Sequence, residues 1–112
     1  MEWRASNKND VIMIYGFRKD EKCYDAILTL IKRDDRTTEA CGFLSRSALS
    51  VFDLRGLYTL LLNVIKTEIL QFEVLPESFH SEFYQRFLPI EEILRSKTFD
   101  GFDCEILRVK IR

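Results

Sequence analysis

Three apolar segments joined by short charged linkers decide the fold predicted for the first half of the chain. They read VIMIYGF at residues 11–17, CYDAILTLIK at residues 23–32 and TTEACGFLS at residues 37–45. Their β-branched and aromatic residues favour strands. The linkers RKDEK and RDDR are too short for a parallel crossover, which needs about a dozen residues or more. The sequence therefore predicts an antiparallel three-strand meander.

A helix and a short strand are predicted to follow the meander. Apolar residues recur at helical spacing to about Ile69, and either Ser50 or Asp53 can cap the start of this helix. Residues 70–75 then have strand character, which Pro76 ends.

A second helix and a hairpin complete the predicted order. Ser78 is a suitable cap for this helix. Three aromatic residues fall at i, i+4 and i+8 and are predicted to form its buried seam: Phe79, Phe83 and Phe87. The Asp100-Gly101 turn separates two strand-like segments, residues 90–99 and 102–111, and a short helical turn is the alternative at the start of the first. The predicted order is β-β-β-α-β-α-β-β, an α+β fold with a mixed central sheet.

Length and composition indicate one globular domain. The chain has 112 residues, of which 46% are hydrophobic and 31% are charged, which excludes disorder. Residues 1–10 are polar and predict a flexible N-terminus before a single α+β domain at residues 11–112. Seventeen basic and eighteen acidic residues leave a net charge of −1, so no overall field attracts nucleic acid or an anionic membrane.

The cysteines and the single histidine do not form a recognisable motif. Cys23, Cys41 and Cys104 are odd in number and widely spaced, which argues against a disulfide framework, and with His80 alone they offer no metal site. Free thiols, no secretory signal and no apolar stretch of membrane-spanning length predict a cytoplasmic protein without a membrane partner.

Three short segments carry a resemblance to a known family. They are Gly42-Phe43-Leu44 at the end of the meander, FYQRF at residues 83–87 and the last strand at residues 102–111. Together with the element order, they resemble the GNAT family of acyltransferases over about residues 11–112. The resemblance implies that the family's first strand and first two helices are missing from this chain.

The cofactor loop of that family has the pattern Q/R-x-x-G-x-G/A, in which backbone N–H groups hold a pyrophosphate at a helix N-terminus. The best match here is DLRGLY at residues 53–58. Asp53 stands where Gln or Arg belongs, and Tyr58 replaces the second small residue. The resemblance implies cofactor contacts from five residues: Phe43, Leu44, Arg55, Gly56 and Leu57. The mismatches favour a protein that uses no cofactor, with acetyl-CoA or another acyl-CoA as the alternative.

Two residues are candidates for acid–base catalysis. Tyr84 lies where the family often has a tyrosine that protonates the leaving thiolate, and its alternative role is packing on the flank of an aromatic helix. His80, one turn earlier, is either a general base or an ordinary surface histidine.

Three other charged groups have structural alternatives. The acidic pairs Asp34-Asp35 and Glu91-Glu92 are candidates for binding an amine or a metal, and their alternative role is a solvated turn and a solvated face. Arg108, Lys110 and Arg112 are candidates for contact with a phosphate backbone or an acidic partner, and their alternative role is to protect an edge strand from unwanted pairing.

Three functions remain open. The preferred one is an interaction or regulatory protein that acts through a protein partner or through self-association at a strand edge. The alternatives are a CoA-dependent N-acyltransferase acting on an amine and a small nucleic-acid-associated regulator, so the sequence leaves enzymatic activity undecided. An open notch between the two central parallel strands would indicate a cofactor slot, whereas a filled one would indicate an interaction module.

Overall fold

The fold is a seven-stranded mixed sheet with two helices. A computed structural model describes all 112 residues. The elements are β1 (Glu2–Lys8), β2 (Val11–Phe17), β3 (Ala26–Lys32), β4 (Thr37–Ser45), α1 (Val51–Val64), β5 (Ile69–Val74), α2 (Phe79–Phe87), β6 (Glu92–Lys97) and β7 (Asp103–Lys110). The strand order is β1-β2-β3-β4-β5-β7-β6, and only the β4–β5 pair is parallel. The α+β class and the predicted element order from Val11 onward are confirmed.

The prediction of a flexible segment at residues 1–10 is wrong for β1. This strand pairs with β2 along its whole length, from Glu2 opposite Phe17 to Lys8 opposite Val11. A two-residue turn at Asn9-Asp10 joins the two strands directly, with Asn9 at φ 58°. A strand therefore stands where the resemblance implied none. The sequence did not predict β1 because its residues are mostly polar, and an exposed edge strand needs little apolar surface.

Both helices cover the same face of the sheet. The core joins Leu28 of β3 and Leu70 of β5 to Leu57 and Leu61 of α1. From α2, the ring of Tyr84 stacks on Phe72 with their centroids 4.3 Å apart. The opposite face carries no helix, and its apolar side chains stay partly exposed: Val11, Met13, Tyr15, Ile27 and Ile31. Neither helix has the length and apolar character needed to cross a membrane.

The predicted buried seam of α2 is wrong. Phe79 and Phe87 are 76% and 54% exposed, and only Phe83 between them is half-buried, so the three contacting rings form no buried seam. The buried side of α2 carries Ser81, whose Oγ donates to Glu105 Oε1 over 3.2 Å, and Tyr84. Two adjacent stripes of α2 are partly apolar, so packing rather than periodicity decides which one is buried.

The basic residues of the last strand do not protect an edge. β7 lies between β5 and β6, so it is an inner strand. Arg108 Nη1 lies 3.6 Å from Glu92 Oε1. Arg112 Nε donates to the carbonyl of Ile65 over 3.0 Å, which satisfies an acceptor at the C-terminal end of α1. This helix ends at Val64, several residues before its predicted end.

Candidate functional site

β4 and β5 pair only at their beginning and then separate. The parallel pairing joins Thr37–Ala40 to Ile69–Phe72, although β4 continues to Ser45 and β5 to Val74. A β-bulge lies at the point of separation, because the β3 residues Leu30 and Thr29 pair with Ala40 and Gly42 and leave Cys41 without a partner. A bulge bends and twists its strand. The result is a V-shaped notch that is open rather than filled.

The notch holds a cavity of about 280 Å³. Gly42 and Phe43 of β4 form one wall, and Phe72 of β5 contributes to the other, while His80 and Tyr84 of α2 line the same cavity. A Cβ atom added at Gly42 would meet no atom within 4 Å. A side chain added at Gly42 would therefore lie in open space beside the notch and displace no packed residue.

On the helix-covered face, the notch continues into an apolar groove of about 620 Å³ between α1 and α2. Four residues line both spaces: Leu28, Phe43, Phe72 and Tyr84. Arg55 is the only charged residue on the wall of this groove, which also includes Tyr58 and Phe87. Notch and groove together have the size and apolar character of a small-molecule site.

Tyr84 lies where the notch meets the groove. Its ring is half-buried against Phe72, and burial raises the pKa of its phenol above the ordinary value of 10.0. The hydroxyl therefore keeps its proton at neutral pH and can act as a donor. His80 is exposed, with its ring centroid 6.5 Å from that of Tyr84, and no hydrogen bond orients its imidazole.

The segment that resembles the cofactor loop lies inside α1. Gly56 is in the second turn, and a Cβ there would lie 3.2 Å from Cδ1 of Trp3, so the absent side chain makes room for β1. Leu57 is a core residue that also lines the groove. Leu44 is 72% exposed and lines neither space, because neighbouring residues of a strand point to opposite faces. Of the five predicted cofactor residues, Phe43, Arg55 and Leu57 thus line the groove, and Leu44 and Gly56 do not.

A carboxylate of the chain itself occupies the N-terminal end of α1. Asp53 Oδ2 accepts the backbone N–H of Ser50 and a hydrogen bond from Arg18 Nη1, both over 3.0 Å, and Ser50 Oγ accepts the N–H of Asp53. The N-terminal nitrogen of Met1 lies 3.4 Å from Asp53 Oδ1. The Ser50 N–H and the Arg18 guanidinium lower the pKa of Asp53 to about 2, against the effect of its burial. An anionic phosphate at this helix end would meet a negative charge.

The connection between β4 and α1 is fixed by a network that the sequence did not reveal. It reads RSALS at residues 46–50 and contains no glycine. Arg18 donates to Ser47 Oγ and to the carbonyl of Ala48, and its Nε lies 3.4 Å from Asp25 Oδ2. Arg18 and Asp25 come from another part of the chain, so no local motif could have indicated them.

The acidic pairs have structural contacts. Asp34 Oδ1 accepts the backbone N–H groups of Arg36 and Thr37, both over 2.8 Å, and so shapes the turn between β3 and β4. Glu92 pairs with Arg108, as described above.

The low pKa of Asp53 predicts a loss of stability in acid. The folded-state pKa of about 2 lies below the ordinary value of 3.8, so the stabilisation is present above pH 5 and is lost as the pH falls through 4 towards 2. We expect this carboxylate to contribute about 2 kcal/mol to the free energy of unfolding. Urea denaturation at pH 6 and pH 3 measures it, and Asp53→Asn should reduce the difference between the two values. An unchanged difference in the variant would contradict the assignment.

Comparisons with known proteins point to one fold. No protein-family model and no curated protein matches the sequence. Among solved structures, a GNAT-family protein from Desulfovibrio desulfuricans is 15% identical with a TM-score of 0.69, over 92% of this chain and 71% of that chain. A GNAT family acetyltransferase from Elizabethkingia anophelis, with acetyl-CoA bound, is 13% identical with a TM-score of 0.64, over 90% and 76%. The aminoglycoside 6′-N-acetyltransferase from Enterococcus faecium is 13% identical with a TM-score of 0.65, over 94% and 77%.

The chain has the GNAT acetyltransferase fold. At these identities the likeness establishes the fold alone. Within this GNAT fold, the Asn9-Asp10 turn leads from β1 straight into the meander, so no helix lies between β1 and β2. The notch lies between the two parallel strands of the GNAT sheet. An open notch at this position was predicted to indicate a cofactor slot, and a filled one an interaction module.

Proposed function

We propose that the chain binds a CoA thioester, with the pantetheine arm in the notch between β4 and β5, and transfers its acyl group to an amine. The observation that carries this proposal is the open notch beyond Ala40 and Phe72. In the GNAT family acetyltransferase from Elizabethkingia anophelis, which shares this fold, acetyl-CoA is bound.

The walls of the notch suit a pantetheine arm. Beyond Ala40, β4 runs on to Ser45 without pairing to β5, so backbone polar groups on this side are free to bond a ligand. An extended chain with two amides can use such a strand edge as another strand would. Phe43 and Phe72 supply apolar contact for its methylene groups.

Tyr84 is the residue suited to the chemistry. A thioester supplies an acyl group that an amine can attack. As the C–N bond forms and the C–S bond breaks, the phenol of Tyr84 donates its proton to the leaving thiolate, and the amine releases its own proton to water. The phenolate of Tyr84 then takes a proton back from water, which restores the residue. Burial raises the pKa of this phenol above 10.0, so the proton to be donated is present at neutral pH.

The phosphate end of CoA fits less well. Asp53 already satisfies the N-terminal end of α1, and the connection at residues 46–50 has no glycine for close backbone approach. Arg55 is the one cation on the wall of the groove. We therefore infer that the pantetheine arm provides most of the binding free energy.

Calorimetric titration with acetyl-CoA and with S-acetylpantetheine tests this proposal. Both ligands should bind, with dissociation constants within about 10-fold, because one added phosphate–arginine contact is worth only about 1.5 kcal/mol. Failure of both to bind at millimolar concentration would overturn the proposal. A preference for acetyl-CoA of more than about 100-fold would show instead that the phosphates are held firmly.

A second candidate is an interaction or regulatory protein on the same scaffold, without a cofactor. It is favoured by Asp53, whose carboxylate takes the place of a bound anion at α1. This function would follow if neither thioester bound to the notch.

A further inference from the structure

One edge of the sheet ends in an unpaired strand with large apolar side chains. β6 is the last strand in the order and pairs only with β7. All six of its residues are exposed, including Ile93 at 45% and Leu94 at 40%. A row of unpaired backbone groups beside apolar side chains favours pairing with another strand. The other edge, β1, carries the charges of Glu2, Arg4 and Lys8 and is less suited to it.

The sequence of β6 favours one register for pairing with itself. In a two-fold antiparallel pair, opposite residues must lie on the same face of the sheet. The register centred on Leu94 meets this condition. It sets Leu94 against Leu94 of the second copy, Ile93 against Arg95, and Glu91 against Lys97 at both ends. A register centred on Arg95 would set two guanidinium groups against each other, and one centred on Ile93 would set Leu94 against Glu92 and leave Lys97 without an opposite charge.

We propose that two copies of this chain pair antiparallel along β6, so that their seven-stranded sheets form one continuous sheet. Leu94 lies at the two-fold axis, and the Glu91–Lys97 pairs fix the register. This dimer goes beyond the proposed function and does not depend on it, since β7 separates β6 from β5 and the notch.

The same register accounts for exposed aromatic residues near this edge. Phe99, in the turn after β6, is fully exposed, and Phe87 at the end of α2 is 54% exposed. In an antiparallel pair the end of β6 in one copy lies beside the start of β6 in the other, so Phe99 of one copy lies near the segment that joins Phe87 to β6 in the second copy. The contact would thus cover apolar surface as well as backbone groups.

Sedimentation velocity over a range of concentrations tests the dimer. The wild-type chain should be a dimer with a micromolar dissociation constant, and Leu94→Lys should remain a monomer because two ammonium groups would meet at the axis. Leu62→Lys is the matched control, since Leu62 is similarly exposed, at 37%, but lies on α1. A monomeric wild-type chain at millimolar concentration would overturn the proposal. Undiminished association of Leu94→Lys, or assemblies that grow beyond the dimer, would overturn it equally.

A charge exchange tests the register itself. Glu91→Lys and Lys97→Glu should each weaken the dimer by about 10-fold, because each places like charges together at both ends. An equimolar mixture of the two variants should recover the wild-type affinity as a mixed dimer. Lys97 also lies 2.9 Å from Asp103 within the chain, so circular dichroism of Lys97→Glu checks that it stays folded. No recovery in a mixture of two folded variants would rule out this register.

Discussion

Gly42→Trp is expected to abolish acetyl-CoA binding, with at least a 100-fold rise in the dissociation constant, and to leave the chain folded. Gly42 is an exposed residue on the notch wall beside the bulge, and an indole there would cover the mouth of the cavity of about 280 Å³ that the pantetheine arm needs. The fold should tolerate the change, because a Cβ at this position meets no atom within 4 Å and aromatic residues suit strands.

Calorimetry with acetyl-CoA measures this effect, and Ser6→Trp is its control. Ser6 is an exposed residue of β1, on the far side of β2 and β3 from the notch, so this variant should bind as the wild-type chain does. Equal binding by Gly42→Trp and Ser6→Trp would place the ligand outside the notch.

Trp3→Ala is expected to lower the free energy of unfolding by about 3 kcal/mol, the low end of the range for large aromatic-to-alanine changes, because the indole is half-buried. The indole lies against Gly16, where an added Cβ would be 2.7 Å from its Cζ3, and also against Gly56 of α1. Its Nε1–H donates to the carbonyl of Asp53 over 2.9 Å. The substitution removes the side chain that fastens β1 to α1.

Guanidinium denaturation followed by circular dichroism measures this loss. Gly16→Ala provides the matched test, because its methyl group would collide with Trp3 in the wild-type chain. It should therefore cost less in the Trp3→Ala background than in the wild type, as expected for residues in contact. A loss below about 1 kcal/mol for Trp3→Ala would contradict the packing of β1 described above.

The strands of the meander were predictable because their apolar runs and short linkers allow only antiparallel neighbours. β1 was not, since an edge strand needs few apolar residues, and its anchor, Trp3, contacts residues distant in sequence. The buried side of α2 was predicted wrongly because Phe79, Phe83 and Phe87 have the spacing of a core stripe. In the fold it is the ring of Tyr84 that packs against the core, where it stacks on Phe72.

The candidate site was predictable where topology alone positions a residue. Phe43 and Tyr84 meet at the notch because β4 and α2 flank it. Strand geometry alone places the side chain of Leu44 away from the groove, since it alternates with Phe43. Gly56 lies in α1 against Trp3, and the sequence alone does not distinguish such a helical glycine from a loop glycine. The pairing of Asp53 with Arg18, thirty-five residues away in sequence, could be found only from the fold.

Backbone amide chemical shifts, recorded while acetyl-CoA is added, test the notch most directly. We predict that the largest changes fall on residues 40–43 of β4, residues 72–74 of β5 and Tyr84 of α2, and that β1 and β6 change little. Changes confined to residues outside the notch, or no changes at millimolar acetyl-CoA, would contradict the proposed site.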